Sequence, residues 1–220
     1  MQRHFDTDIE RVRELLLRMG AMIEDAIAQS IRALLERDTA IAELVIARDR
    51  EIDILELEID QATVELIARM QPAARDLRLV ATAMKITPEL ERIGDLAQDV
   101  CERAIELNAE PPLARLIDIP RLAAMAQQMV REAIDAFVRL DPQLARDIIA
   151  RDDEVDALTE KSFRELLTYM LEDSKNISRA IRLTFINKYF ERMADGATNI
   201  AEMVVYLVEG RVLKHQHEQP

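Results

Sequence analysis

Two copies of Glu-Arg-x-x-Asp stand 100 residues apart, at Glu91-Arg92-x-x-Asp95 and Glu191-Arg192-x-x-Asp195, inside apolar frames that match from Ile86/Ile186 to Leu107/Leu207. Of the 22 aligned positions seven are identical, and three of the seven are carboxylates, Glu91/Glu191, Asp95/Asp195 and Glu102/Glu202. A chain that repeats an acidic stripe in this way is constrained to fold as two like units, each with a like site.

The repeat extends backwards. Met22, Ala26 and Ile27 return as Met129, Ala133 and Ile134, and Ile46-Ala47-Arg48-Asp49-x-Glu51-Ile52-Asp53 returns as Ile149-Ala150-Arg151-Asp152-x-Glu154-Val155-Asp156. The offset between copies falls from 107 to 103 to 100, in steps of four and three residues. Each step is close to one helical turn, so the second unit is shortened without rotating its buried face.

Helix is the period throughout. Ile9, Val12, Leu16, Met19, Ile23, Ala26, Ser30 and Ala33 alternate three and four apart, Val45, Ile52, Ile59 and Leu66 are seven apart, and a third seam runs Leu79, Ala83, Ile86, Leu90, Ile93, Ala97, Val100. Only 4 Gly and 4% aromatic residues accompany these seams, so strand formers are scarce. The spacing predicts an all-α fold of two tandem three-helix bundles, residues 1–110 and 111–220, related by a pseudo-twofold axis. Asp38-Thr39 reads as an N-cap, Gln71-Pro72 as a stop, Asn108 to Asp118 as the linker, Asp141-Pro142 as the start of the fifth helix and Gly210 as the end of the sixth. Pro88 removes an amide donor and is expected to kink the third helix near Glu91.

Charge narrows the partners. The chain carries a net charge of −13, with 24 acidic and 14 basic side chains in residues 1–110 (net −10) against 18 and 15 in residues 111–220 (net −3). Nucleic acid and anionic lipid, both polyanions, are therefore disfavoured. No apolar run approaches the roughly 20 residues that span a bilayer, and the first residues lack the apolar core of a signal peptide, so a soluble cytoplasmic protein is expected. A single cysteine, Cys101, leaves no disulfide framework. The segment Lys175-Asn176-Ile177-Ser178-Arg179-Ala180-Ile181-Arg182 is read as a locally basic loop, solvated or set against an acidic partner.

Glu91, Asp95, Asp99 and Glu102 follow at intervals of four, four and three, and Glu191, Asp195, Asn199 and Glu202 repeat the frame. Asp49 and Asp53, and Asp152 and Asp156, are again four apart, so acidic ladders on neighbouring helices are expected to face each other. Stacked carboxylates repel by a few tenths of a kcal/mol per pair, roughly, unless a cation compensates. Spacing leaves two compensators open. One is protein arginine, Arg92 and Arg192 or Arg48 and Arg151. The other is a hard or borderline metal ion such as Mg, Ca, Mn or Fe on an all-oxygen ligand set. The histidines, His4, His215 and His217, lie at the chain ends, which argues against a ferritin-like Glu-x-x-His di-iron core. No nucleophile-and-base pair and no phosphate-cradling Gly loop are present, so enzymatic activity is not expected.

Pro72-x-x-x-Asp76-Leu77-Arg78, Glu91-Arg92-Ile93-Gly94-Asp95 and Glu191-Arg192-x-x-Asp195-x-Ala197-Thr198-Asn199-Ile200-Ala201-Glu202 resemble the PhoU family of phosphate-signalling proteins across both halves. The resemblance implies a cytoplasmic negative regulator of the phosphate-starvation response, linking a phosphate-importing ABC transporter to a sensor histidine kinase. It also implies tandem three-helix bundles, a homodimer, and iron or zinc on Glu91, Asp95, Glu191 and Asp195, extended to Asp99 and Asn199. Asp49/Asp53 and Asp152/Asp156 are inferred as partner ladders. The chain departs from the family pattern at Gly196, where a His is common, and at Ala194, where Gly is. The expected function is an adaptor between transporter ATPase and kinase, reaching the membrane only through its partners. The alternatives are a carboxylate-bridged metal protein handling iron or phosphate directly, and an inert structural bundle.

Overall fold

In the computed structural model, which describes residues 2–113 and 118–211, every regular element is helical: α1 (Gln2–Glu36), α2 (Thr39–Met70), α3 (Ala74–Asn108), α4 (Ile119–Arg139), α5 (Pro142–Ile149), α6 (Asp152–Glu172) and α7 (Ile177–Glu209), with a 3-10 turn at Ser174–Asn176 before α7. His215 and His217 lie outside the described residues. Helices α1, α2 and α3 pack pairwise as one three-helix bundle, and α4, the α5–α6 pair and α7 as the second. The expected all-α pair of bundles is therefore the observed architecture.

The turns are the same in both halves. Arg37 and Leu140 are each left-handed, with φ of 57° and 53°, and each is followed by an aspartate that caps the next helix. Asp38 Oδ1 accepts from the amides of Ala40 and Ile41 at 2.9 and 3.2 Å, and Asp141 Oδ1 from those of Gln143 and Leu144 at 2.9 and 3.1 Å. Each cap satisfies two of the four amides a helix start leaves unpaired. The four-residue loss between repeats thus falls in the last turn of α4 relative to α1.

Two expectations are revised. The fifth helix is interrupted at Ala150-Arg151, where the Arg151 amide donates to Ile148 O at 3.0 Å, a tighter three-residue closure, and α6 restarts with Asp152, Asp153 and Glu154 in its first turn. Acidic residues suit the positive end of a helix. Pro88 lies inside α3, which is helical on both sides of it, from Ala74 to Asn108. The segment Lys175 to Arg182 is not a loop: from Ile177 it is the first turn and a half of α7. Its arginines serve this chain, Arg182 pairing with Glu106 at 2.6 Å and Glu110 at 2.9 Å, and Arg179 donating to Pro111 O at 2.8 Å.

Helices α3 and α7, each above 30 residues and so roughly 50 Å long, cross the molecule antiparallel and join the bundles. Leu16, Met19, Ile23, Ile59, Leu90, Ile93, Leu122 and Phe190 are buried in one continuous apolar core that includes both halves. Gly196 sets the α3–α7 approach: a Cβ there would stand 3.0 Å from Ile93 Cδ1. Helices α2 and α6 flank this centre on the outside, and the acidic ladders lie along the seams they make with α3 and α7.

Candidate functional site: two carboxylate clusters

On the first seam α2 presents Asp49 and Asp53, and α3 presents Glu91 and Asp95. They share one field. Burial raises the Asp49 pKa to about 6, with Asp95 and then Asp53 adding to the rise. Burial likewise takes Glu91 to about 7, reinforced by Asp95, Glu56, Asp53 and Asp49. Asp95 is raised by burial and by Asp53, a rise that a hydrogen bond with Glu91 opposes. Glu56, raised by burial, Asp60, Asp53 and Asp95, belongs to the same group. Sequence reasoning passed over Glu56, although it stands three residues after Asp53 and continues that ladder.

The arginines expected to neutralise this cluster are turned elsewhere. Arg48 pairs with Asp25 at 3.8 Å and Arg92 with Glu89 at 3.9 Å. Among the described residues, no Lys or Arg lies within ion-pair distance of Asp49, Asp53, Glu56, Glu91 or Asp95. Burial and the repulsion between like charges together favour proton uptake by Asp49, Glu56, Glu91 and Asp95.

On the second seam Asp152 and Asp156 of α6 meet Glu191 and Asp195 of α7. Burial takes Asp195 to about 6, with Asp152, Glu191 and Asp156 adding and Lys188 opposing. Asp156 is raised by burial, Asp152 and Glu191. This cluster carries its own cation. Lys188, which stands where the first repeat has Pro88, pairs with Glu191, and the Thr198 hydroxyl donates to Asp152 Oδ1 at 3.1 Å. Where the first repeat has Glu56, the second has Thr159, a buried hydroxyl. Arg151, an expected partner of these acids, pairs with Glu132 instead.

Asp99 and Asn199 lie at the join between bundles. Asn199 donates its side-chain amide to Glu89 of α3 at 3.3 Å. Asp99, raised by burial, Glu102 and Asp95, lies within the field of Arg103 and of Arg192 from α7, and adds to the rise that burial gives the Tyr189 pKa. Position 196 points at Ile93 and Glu89 of α3, so a side chain there faces the other bundle.

The donor set is carboxylate oxygen throughout, which suits a hard or borderline cation. As they stand, no three Asp, Glu, His or Cys side chains among the described residues converge closely enough to hold a metal ion. The carboxylates share a face and a field, and a common point between them requires side-chain rotation.

Fold and clusters together define a class: a duplicated helical bundle bearing an acidic seam in each half. The PhoU domain profile matches residues 16–104 and 119–204. The chain is 40% identical over 210 residues to the phosphate-specific transport system accessory protein PhoU homolog of Aquifex aeolicus, covering 96% of this chain and 95% of that one. It is 39% identical to the homolog of Pseudomonas aeruginosa, covering 98% and 89%. The crystal structure of PhoU from Pseudomonas aeruginosa superposes with a TM-score of 0.91 at 41% identity, over 94% of this chain and 100% of that one. That of the phosphate transport system regulatory protein PhoU from Streptococcus pneumoniae gives 0.88 at 25% identity, over 95% and 99%. The chain belongs to the PhoU family, whose members regulate and do not catalyse. No helix among the described residues is long and apolar enough to cross a membrane.

Proposed function

We propose that the chain is a cytoplasmic accessory regulator of phosphate uptake, which keeps phosphate-starvation genes silent while phosphate is plentiful. It acts as an adaptor, docking on the ATPase subunit of a phosphate ABC transporter and on a sensor histidine kinase, and works as a homodimer. The observation that carries this reading is likeness over nearly the whole length, 96% of this chain and 95% of the relative, to a protein named for phosphate-specific transport. Deletion tests it. Starvation genes are expected to switch on in high phosphate without this chain, and silence would overturn the reading.

A second element of the proposal concerns the clusters. Glu91, Asp95, Asp49 and Asp53 in the first half, with Asp99 at their margin, and Glu191, Asp195, Asp152 and Asp156 in the second, with Asn199 at theirs, take up di- or trivalent cations, iron or zinc first, with Mg, Mn and Ca as competitors. Support comes from the first seam, where burial, reinforced by neighbouring carboxylates, raises the pKa values of Asp49, Glu56, Glu91 and Asp95 with no protein cation paired to them. A bound multivalent ion supplies that missing charge. The residues' own part is to draw together around it and tie α2 to α3.

A further inference from the structure

The two halves differ at one place where the repeat lets them be compared residue for residue. Asp25 and Arg48 of the first half correspond to Glu132 and Arg151 of the second. Glu132 and Arg151 form a close pair, their side chains 21% and 28% exposed, and Gln128 braces it by donating to Glu132 at 2.8 Å. Burial works against the Glu132 charge, yet the bonds from Arg151 and Gln128 hold its pKa below the usual carboxylate range. The shorter Asp25 reaches Arg48 only at 3.8 Å, both side chains are more than half exposed, and Ala21 replaces the bracing glutamine.

A groove opens there between α1, α2 and α3, with a cavity of about 180 Å³. Its floor is apolar, from Met22, Ala26, Leu44, Val45 and Ile52, and Gly94 contributes no side chain where the second half has Ala194. Its rim carries Asp25, Asp49 and Glu51 against the single guanidinium of Arg48. Leu44 is 48% exposed, an apolar side chain held open to water where the second half has Asp147.

The volume falls below the roughly 300–1,000 Å³ typical of small-molecule sites. The space suits one side chain, not a whole cofactor. An apolar floor under an acidic rim selects an apolar stem ending in a cation, the form of lysine and arginine. We infer that this groove receives a lysine or arginine from a basic, leucine-flanked segment of a protein partner. The net charge of −10 on residues 1–110 draws such a segment in, and the groove gives it a seat. The inference rests on the adaptor reading for the existence of a partner and names the chemistry of the surface it offers.

A fluorescent twelve-residue peptide alternating leucine with lysine and arginine, titrated into the full chain in about 150 mM salt, tests it. The peptide is expected to bind, and Leu44→Asp to weaken it at least tenfold even though the substitution adds negative charge. Leu57→Asp, on an exposed stretch of α2 away from the groove, serves as control and is expected to leave binding unchanged. Leu44→Asp places at this position the residue its repeat mate already carries, and a thermal melt checks that the variant is folded. Binding that Leu44→Asp leaves equal or strengthens reports attraction to the acidic surface as a whole and overturns the inference. So does failure of the peptide to bind, or tighter binding by spermidine than by the peptide. The assay uses the isolated chain, so its failure leaves the deletion phenotype standing, and a silent deletion leaves the groove standing.

Discussion

Asn199 of α7 donates its side-chain amide to the carboxylate of Glu89 on α3 at 3.3 Å, in register with the Arg182–Glu106 pair: seventeen residues along α7 are matched by seventeen back along α3. The repeat mate of this contact is Tyr189 beside Asp99, so the pseudo-twofold axis crosses the two helices at the level of Gly94 and Ala194. One end of the ladder on each helix is thereby engaged with the other bundle.

Asn199→Asp sets a carboxylate against Glu89 in place of a donor. A loss of about 1 kcal/mol is expected, a fall of roughly 2–4 °C in Tm for a chain of this size. Glu89→Gln in the same chain is expected to restore most of it in calorimetry. Additive losses would show that the contact carries nothing.

The pH dependence of stability has a definite sign. Asp49, Glu91 and Asp195 have pKa values raised to about 6, 7 and 6 in the folded chain. Folded protein therefore holds protons that the unfolded chain, with carboxyls near 4, has released. Each group's penalty is absent below about pH 4, grows as pH rises to about 7, and is complete above that. With chelator present, Glu91→Gln is expected to raise Tm at pH 8 and to leave it unchanged at pH 4. An equal shift at both values would locate the effect outside the cluster's charge.

Gly196 is held small by Ile93. Alanine would gain about 1 kcal/mol in helix propensity but forces a contact of 3.0 Å that costs about 1–3 kcal/mol, so a net loss of up to about 2 kcal/mol is expected in denaturant melts. Gly196→His is expected to lose more. Gly196→Ala in an Ile93→Ala background should lose less than it does alone.

Metal content discriminates the roles of the seams. Purified chain is expected to carry iron or zinc by elemental analysis, and Asp49→Ala with Asp95→Ala to lose metal from the first seam. Asp195→Ala is expected to release less, because Lys188 already supplies part of the charge on the second seam. Protein that is metal-free and takes none up would remove the inorganic half of the function.

Much of this was open to reading in one dimension. The repeat offsets, Asp38 and Asp141 as caps and the four-residue ladders all express local chemistry, a helical period or a side chain reaching its neighbouring amides. Glu56 was legible too, by the same spacing, and was overlooked. The partners of Arg48, Arg92 and Arg151 were not, because a long flexible side chain reaches several acids and packing chooses among them. The interruption at Ala150-Arg151 was equally hidden, since the matching stretch of α2 is unbroken.

Period and duplication sufficed for the two bundles, their turns and the faces bearing the acids, because these depend on positions a few residues apart. The directions of Asn199 and Gly196 toward α3, the unpaired charge of the first seam beside the partly compensated second, and the groove lined by Leu44 came from packing. They depend on how closely α3 meets α7 and α1 meets α2, distances set by side-chain volumes far apart in the chain.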